Sequence, residues 1–164
     1  MNAEKYMAMR NYIVTHDRLY KFIRFLYKAS KYIHYVAYPL LIIYLLICRD
    51  LRVSKVIVVP AETFILVTII RKIWNLKRPY EVLDITPLFP KTTKGKSCPS
   101  RHTASTVIIS FAFLYVNLWL GIASFVVSAV IAVLRPIAGV HFPRDVIWAI
   151  LFSVFVGILG FYIL

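Results

Sequence analysis

The chain has 164 residues, of which 60% are hydrophobic and 16% charged, with 20 basic against 7 acidic side chains and a formal net charge of +13. Soluble domains carry roughly 25% charged residues, and one of this length could not hide so much apolar surface when about half of any folded surface must meet water. That excludes an ordinary soluble domain, and it turns the basic excess away from nucleic acid and toward anionic headgroups and bound anions.

The predicted elements are all helical. Within residues 1–31, Leu19, Phe22, Ile23 and Leu26 share one side of a helix, while Lys21, Arg24, Lys28 and Lys31 fall opposite. Such a helix lies in the membrane interface rather than crossing it. A signal peptide is the competing reading, but basic residues run through the segment and no cleavage-like site follows. Five apolar blocks come next: Tyr32 to Cys48, Val56 to Ile70, Thr103 to Leu120, Gly121 to Leu134, and Val146 to Leu164. They hold one formal charge between them, Glu62. A spanning helix takes about 20 residues, so the shorter blocks must borrow flanking turns, with Arg71 and Lys72 snorkelling to the interface. Asn117 to Gly121 suits a tight helical hairpin. The expected architecture is an all-α membrane bundle, with an interfacial segment over 1–31 and an embedded domain of about five transmembrane helices over 32–164.

Three polar clusters interrupt the apolar pattern. In the first, Arg71 and Arg78 are seven residues apart, so they share a face if the helix persists that far. Pro79 ends the span near Arg78. Alone, this is a basic cluster at a membrane edge. The second is Pro99-Ser100-Arg101-His102, ahead of the apolar run from Thr103. A helix starting there points free N–H groups outward, which favours an anion. His102 then sits in the first turn, able to protonate an oxygen leaving a phosphate; a plain helix cap with a solvated histidine is the alternative. In the third, Asp145 follows His141 by four residues and can fix the tautomer of a nucleophilic imidazole. Pro143 suits the first turn of the last helix. Arg135 ends an apolar helix, where an unpaired guanidinium is costly and a phosphate would serve as partner. Cys98 lacks the arginine six residues on that a cysteine phosphatase places there, since that position is Ala104.

Together the clusters resemble the signature of the type-2 phosphatidic acid phosphatase superfamily: Lys, six residues, Arg-Pro; then Pro-Ser-Gly-His; then Ser-Arg, five residues, His, three residues, Asp. The likeness covers Arg71 to Asp145. It implies a membrane helical bundle that hydrolyses lipid phosphates without metal or other cofactor. His141 would attack phosphorus and form a phosphohistidine, with Asp145 orienting it. His102 would protonate the leaving oxygen and later activate water. Arg78, Ser100 and Arg135 would hold the phosphate oxygens. Three positions depart from the pattern. Arg71 stands for the usual Lys, with Lys72 one residue out of register; the planar fork replaces a point charge. Arg101 replaces Gly and is expected on the phosphate, or on the second phosphate of a diphosphate. Leu134 replaces the Ser before Arg135.

The remaining polar residues have plainer expectations. His16 and His34 are expected at the interface, and Glu62 is expected to pair with a base or stay protonated. Lys91, Lys94 and Lys96 form a basic loop that either guides a headgroup or is simply solvated. No further His or carboxylate grouping suggests a metal site. The small size and short loops resemble members acting on undecaprenyl diphosphate, with phosphatidylglycerol phosphate and phosphatidic acid as competitors. A non-catalytic lipid-binding or transport protein on the same scaffold is the alternative of another class. The resemblance places the active site on the extracytoplasmic face, which turns Arg49, Arg52 and Lys55 to the cytoplasm as the positive-inside rule prefers.

Overall fold

A computed structural model describes residues 2–164, and among them no strand occurs. The elements are α1 (Ala3–Thr15), α2 (Asp17–Ile47), α3 (Val53–Trp74), the single turn α4 (Pro79–Val82), α5 (Arg101–Val116), α6 (Leu118–Ile137) and α7 (Pro143–Ile158). A π-helical turn, Leu159–Ile163, prolongs α7. By length and apolar composition four helices can cross a membrane: α2, α3, α6, and α7 with its π turn.

The hub is α5. It packs against α6 most extensively, then against α7 and α3, and more lightly against α2. Its 16 residues make it about 24 Å long, the shortest of the long helices together with α7. It is also the most enclosed. Val107, Ile108, Phe111, Ala112 and Phe113 join Leu41, Leu45, Val56, Val59 and Phe161 in the core. Outward positions such as Leu40, Ile43, Ile65, Val126, Val133, Leu151 and Phe155 are exposed. That is the lipid-facing surface a bundle in hydrocarbon requires.

Small residues let the backbones approach. A Cβ on Gly121 would fall 2.4 Å from Cα of Leu114, and one on Gly157 would fall 2.6 Å from the Phe111 ring. Close approach replaces the hydrophobic drive that lipid does not supply between helices. Asn117 makes the expected hairpin. Its extended backbone stops α5, and its side chain accepts from the N–H groups of Trp119 and Leu120 to start α6.

The amino-terminal half differs in detail from expectation. The boundary expected at residue 31 falls inside α2, which runs unbroken for 31 residues. At about 46 Å it exceeds the roughly 30 Å hydrocarbon core, so part of the helix must lie beyond the hydrocarbon. The separate helix α1 packs on α2 and buries Tyr6 and Ile13. The Tyr6 hydroxyl accepts from the Leu88 N–H at 3.1 Å and lies against Gly139, whose φ is +71.

Two side chains expected elsewhere are now placed. His34 is not interfacial but buried. Its Nε2 lies 3.0 Å from Ser124 Oγ, and Ser110 Oγ joins Ser124 at 2.8 Å and Ser128 at 2.9 Å. Once its helix is drawn into the bundle, its apolar neighbours face lipid and the imidazole faces hydroxyls. Glu62 is exposed on the outer side of α3, and no ion pair among the described residues involves it. The expected basic partner is not there, because the nearest basic turns of α3 lie at its two ends.

Candidate active site

The three clusters converge at one end of the bundle. The helix does not persist to Arg78 as the shared-face reading required: α3 stops at Trp74, where Asn75 turns left-handed with φ 40. Arg71, in its last turn, faces inward and is 7% exposed. Its Nη1 donates to the carbonyl oxygens of Ser97, at 3.2 Å, and Pro99. Lys72 is exposed at the edge of the same cavity. Arg78 sits in extended backbone before Pro79 and donates from Nε to Gly95 O at 3.0 Å and from Nη1 to Val140 O at 3.2 Å. The Glu81 carboxylate ties these loops together by accepting from the N–H groups of Arg78 and Gly95, both at 2.8 Å. Arg71 and Arg78 therefore share a cavity rather than a helix face.

Ser100 caps α5 but turns its hydroxyl inward, where it accepts from Thr103 Oγ1 at 3.0 Å. Its N–H donates to Asp145 O at 2.9 Å, which pins the start of α5 to α7. The hydroxyl is fully buried, so the N-terminal turn rather than the Ser100 side chain faces the cavity. His102 and Arg101 follow in that turn, with the Arg101 guanidinium 5.5 Å from the centre of the Phe64 ring.

Arg135 ends α6 buried, donating from Nη1 to the Tyr27 hydroxyl at 2.8 Å with its guanidinium 5.0 Å from that ring. Leu134, where the pattern has Ser, is buried in the bundle. His141 lies in the short link to α7, and Asp145 in the first turn of α7. Asp145 Oδ2 accepts from the Phe142 N–H at 3.0 Å. His141 Nδ1 stands 3.6 Å from that oxygen, longer than a hydrogen bond. Ser97 fills the gap, with Oγ 3.4 Å from Nδ1 and donating to Asp145 Oδ2.

These groups surround a cavity of about 340 Å³ whose walls include Arg71, Arg78, Arg101, Arg135, His102 and His141. Lys91 and Lys96 line its mouth, and no carboxylate does. A second cavity of about 380 Å³ shares Arg101 and His102 but is otherwise mainly apolar, walled by Tyr35, Tyr38, Phe64, Ile109 and Ile131. Burial pushes the His141 pKa down to about 4; the Asp145 contact opposes this, and Arg78 and Arg135 add to it. The imidazole is therefore neutral at pH 7. Lys91 is held below the ordinary lysine value by burial and then by Arg78, Arg135, Lys31 and Arg101. Burial, helped by Asp145, pushes the Cys98 thiol up to about 12, so it stays protonated. A neutral imidazole engaged through Nδ1 leaves Nε2 as a nucleophile, and the surrounding cations suit a phosphoryl group.

Ser97 and Tyr27 complete the surroundings without having been singled out, and Lys31, read only as part of a basic helix face, lines the apolar cavity. Ser97 stands two residues before Pro99, inside the second cluster's own run, so adjacency was its signal. Tyr27 carried none, because helical periodicity does not say which residue of another helix its hydroxyl meets.

The PAP2 superfamily profile matches residues 52–164. The fold resembles the crystal structure of LpxE from Aquifex aeolicus, with a TM-score of 0.74 and 29% identity over 97% of this chain and 93% of that one. It also resembles a transmembrane PAP2 type phosphatidylglycerolphosphate phosphatase from Bacillus subtilis, with a TM-score of 0.53 and 17% identity over 96% of this chain and 74% of that one. No curated protein sequence matches. The profile match over most of the chain, joined to a helical bundle that gathers all three clusters, shows that this chain belongs to the PAP2 superfamily and is a membrane lipid phosphatase.

Proposed function

We propose that the chain hydrolyses the terminal phosphate of a lipid phosphate or diphosphate, with undecaprenyl diphosphate as the favoured substrate. The observation that carries this reading is the pair of cavities that share Arg101 and His102 in their walls. One is cationic and suits a phosphate; the other is apolar and suits the chain attached to it.

In this reading His141 Nε2 attacks phosphorus, and His102 protonates the departing oxygen. His102 then takes a proton from the water that cleaves the phosphohistidine. Asp145 orients His141. Arg71, Arg78 and Arg135 hold the phosphoryl oxygens, and Ser100 fixes the helix start whose N–H groups face them. Arg101 takes the second phosphate of a diphosphate. The cations supply the charge that a metal ion gives other phosphatases, so we propose metal-independent turnover. We place the site on the extracytoplasmic face, with residues 1–31 in the headgroup region above the embedded domain.

Phosphate release from purified protein in detergent, measured on undecaprenyl diphosphate, phosphatidylglycerol phosphate and phosphatidic acid with and without a strong chelator, tests the reading. Fastest release from undecaprenyl diphosphate, untouched by the chelator, is expected. A faster competitor reassigns the substrate, and release from none points to a lipid-binding or transport role. Restoration by divalent ion alone after chelation ends the metal-free proposal. On a background lacking Cys48 and Cys98, Lys94→Cys should react with an impermeant thiol reagent outside intact cells and Ser54→Cys should not; the opposite pattern inverts the orientation.

A further inference from the structure

We infer that Ser97 is a positioning residue whose hydroxyl bridges His141 and Asp145; this rests on the phosphohistidine reading above. The pair is expected to touch directly, yet the imidazole and carboxylate stand 3.6 Å apart. The Ser97 hydroxyl lies within 3.4 Å of Nδ1 and gives its proton to Asp145 Oδ2. A hydroxyl has one proton and two lone pairs. With that proton committed to the carboxylate, only a lone pair remains for His141, so a hydrogen bond between them requires Nδ1 to carry the hydrogen. The tautomer with a free Nε2 follows from the Ser97 bond.

Ser97 is held for this task. It is fully buried. Its N–H donates to Leu76 O at 2.8 Å, and its carbonyl accepts from the inward guanidinium of Arg71. The same oxygen of Asp145 also accepts from the Phe142 N–H, so the carboxylate cannot swing toward His141 without losing bonds. When Nε2 attacks, the Nε2–P bond forms, the bond from phosphorus to the leaving oxygen breaks, and His102 supplies that oxygen's proton. The Nδ1 proton stays in place while the ring becomes cationic. Its bond to Ser97 strengthens as charge develops, and Asp145 is felt through the hydroxyl.

A double-mutant cycle on the detergent-purified protein, read as phosphate release, tests this. Ser97→Ala should lower kcat by roughly 10- to 100-fold with KM nearly unchanged, because no phosphate oxygen loses a partner. Ser97→Cys, close in shape but a weaker donor, should recover part of the loss, and it serves in the same cycle if the alanine protein does not accumulate. Combined with Asp145→Asn, either Ser97 change should add little to the loss from Asp145→Asn alone, since both break one relay. Single losses that multiply in the double variant would show that Ser97 acts apart from the pair and overturn the inference. So would full activity in Ser97→Ala. Wild-type protein that releases no phosphate overturns the hydrolase reading beneath it.

Discussion

The two ends of α5 differ in how completely their polar groups are answered. At the carboxyl-terminal end, Asn117 satisfies two backbone donors, Asp50 and Arg52 pair at 2.7 Å, and Arg52 also donates to Val116 O at 3.2 Å. Phe111, Phe113 and Leu114 pack there against α6 around Gly121. At the amino-terminal end, Arg71, Arg78 and Arg135 are buried side by side, and their guanidinium groups donate only to neutral oxygens. Asp145 Oδ1 is buried without a hydrogen bond, its nearest cation being Arg144 Nε at 3.8 Å. One end is at rest, whereas the other crowds like charges whose repulsion a bound anion relieves. In the proposed reading, stability and chemistry are separated along a single helix.

Substitutions at the two ends should fail in different assays. The largest effect is expected from His141→Ala, which should abolish turnover while leaving the fold intact; normal phosphatase activity in that protein would sink the mechanism. In the proposed mechanism the attacking form is the neutral ring, and its fraction should fall only as pH drops toward about 4. A histidine NMR titration placing His141 near the ordinary 6.5 would contradict the account of its burial.

Next in size is Arg71. Removing a charge-assisted contact that strengthens in the transition state costs about 2–4 kcal/mol, or roughly 30- to 1,000-fold in rate. Arg71→Ala should show that loss, Arg71→Lys should recover part of it, and the exposed Lys72→Ala should lose far less. A greater loss from Lys72→Ala would move the first motif by one residue.

Gly121→Val probes the resting end. With Leu114 already 2.4 Å from any added Cβ, overpacking should cost about 1–3 kcal/mol, seen as a lower thermal midpoint in detergent. The kcat of the molecules that remain folded should be unchanged, and a selective loss of kcat would abolish the separation of the two ends. The smallest effect is expected from Arg101→Gly. A partly solvated charge contact is worth about 1 kcal/mol, so diphosphate turnover should fall several-fold more than monophosphate turnover. Equal losses on both substrates would remove Arg101 from the second phosphate.

What was legible beforehand follows the range of each signal. The Asn117 hairpin and the start of α7 at Pro143 are local patterns, and each carries its own geometry; the grouping of Arg71, Arg78, Arg135, His102 and His141, drawn from three separate clusters, was implied by the family resemblance. The end of α3 was misjudged because Asn75 in a left-handed turn stops the helix four residues before Pro79. His34 was misplaced for a physical reason. Helical periodicity separates apolar from polar sides, but it does not say whether a polar side faces water or the hydroxyls of another helix. Ser100 and Ser97 show the limit of spacing: they lie three residues apart, and only the folded backbone decides which hydroxyl meets the His141 and Asp145 pair.

The buried hydroxyls around His34 also act as a ruler. Between helices in lipid no hydrophobic force sets how far one slides along another. The His34, Ser110, Ser124 and Ser128 contacts join α2, α5 and α6 at one height only, and sliding by a residue separates every partner. Tyr27 and Lys31 stand seven and three residues up the same helix, about two turns and one turn. A polar pin deep in the bundle therefore fixes the altitude at which Tyr27 meets Arg135, and the floor of the bundle calibrates its mouth.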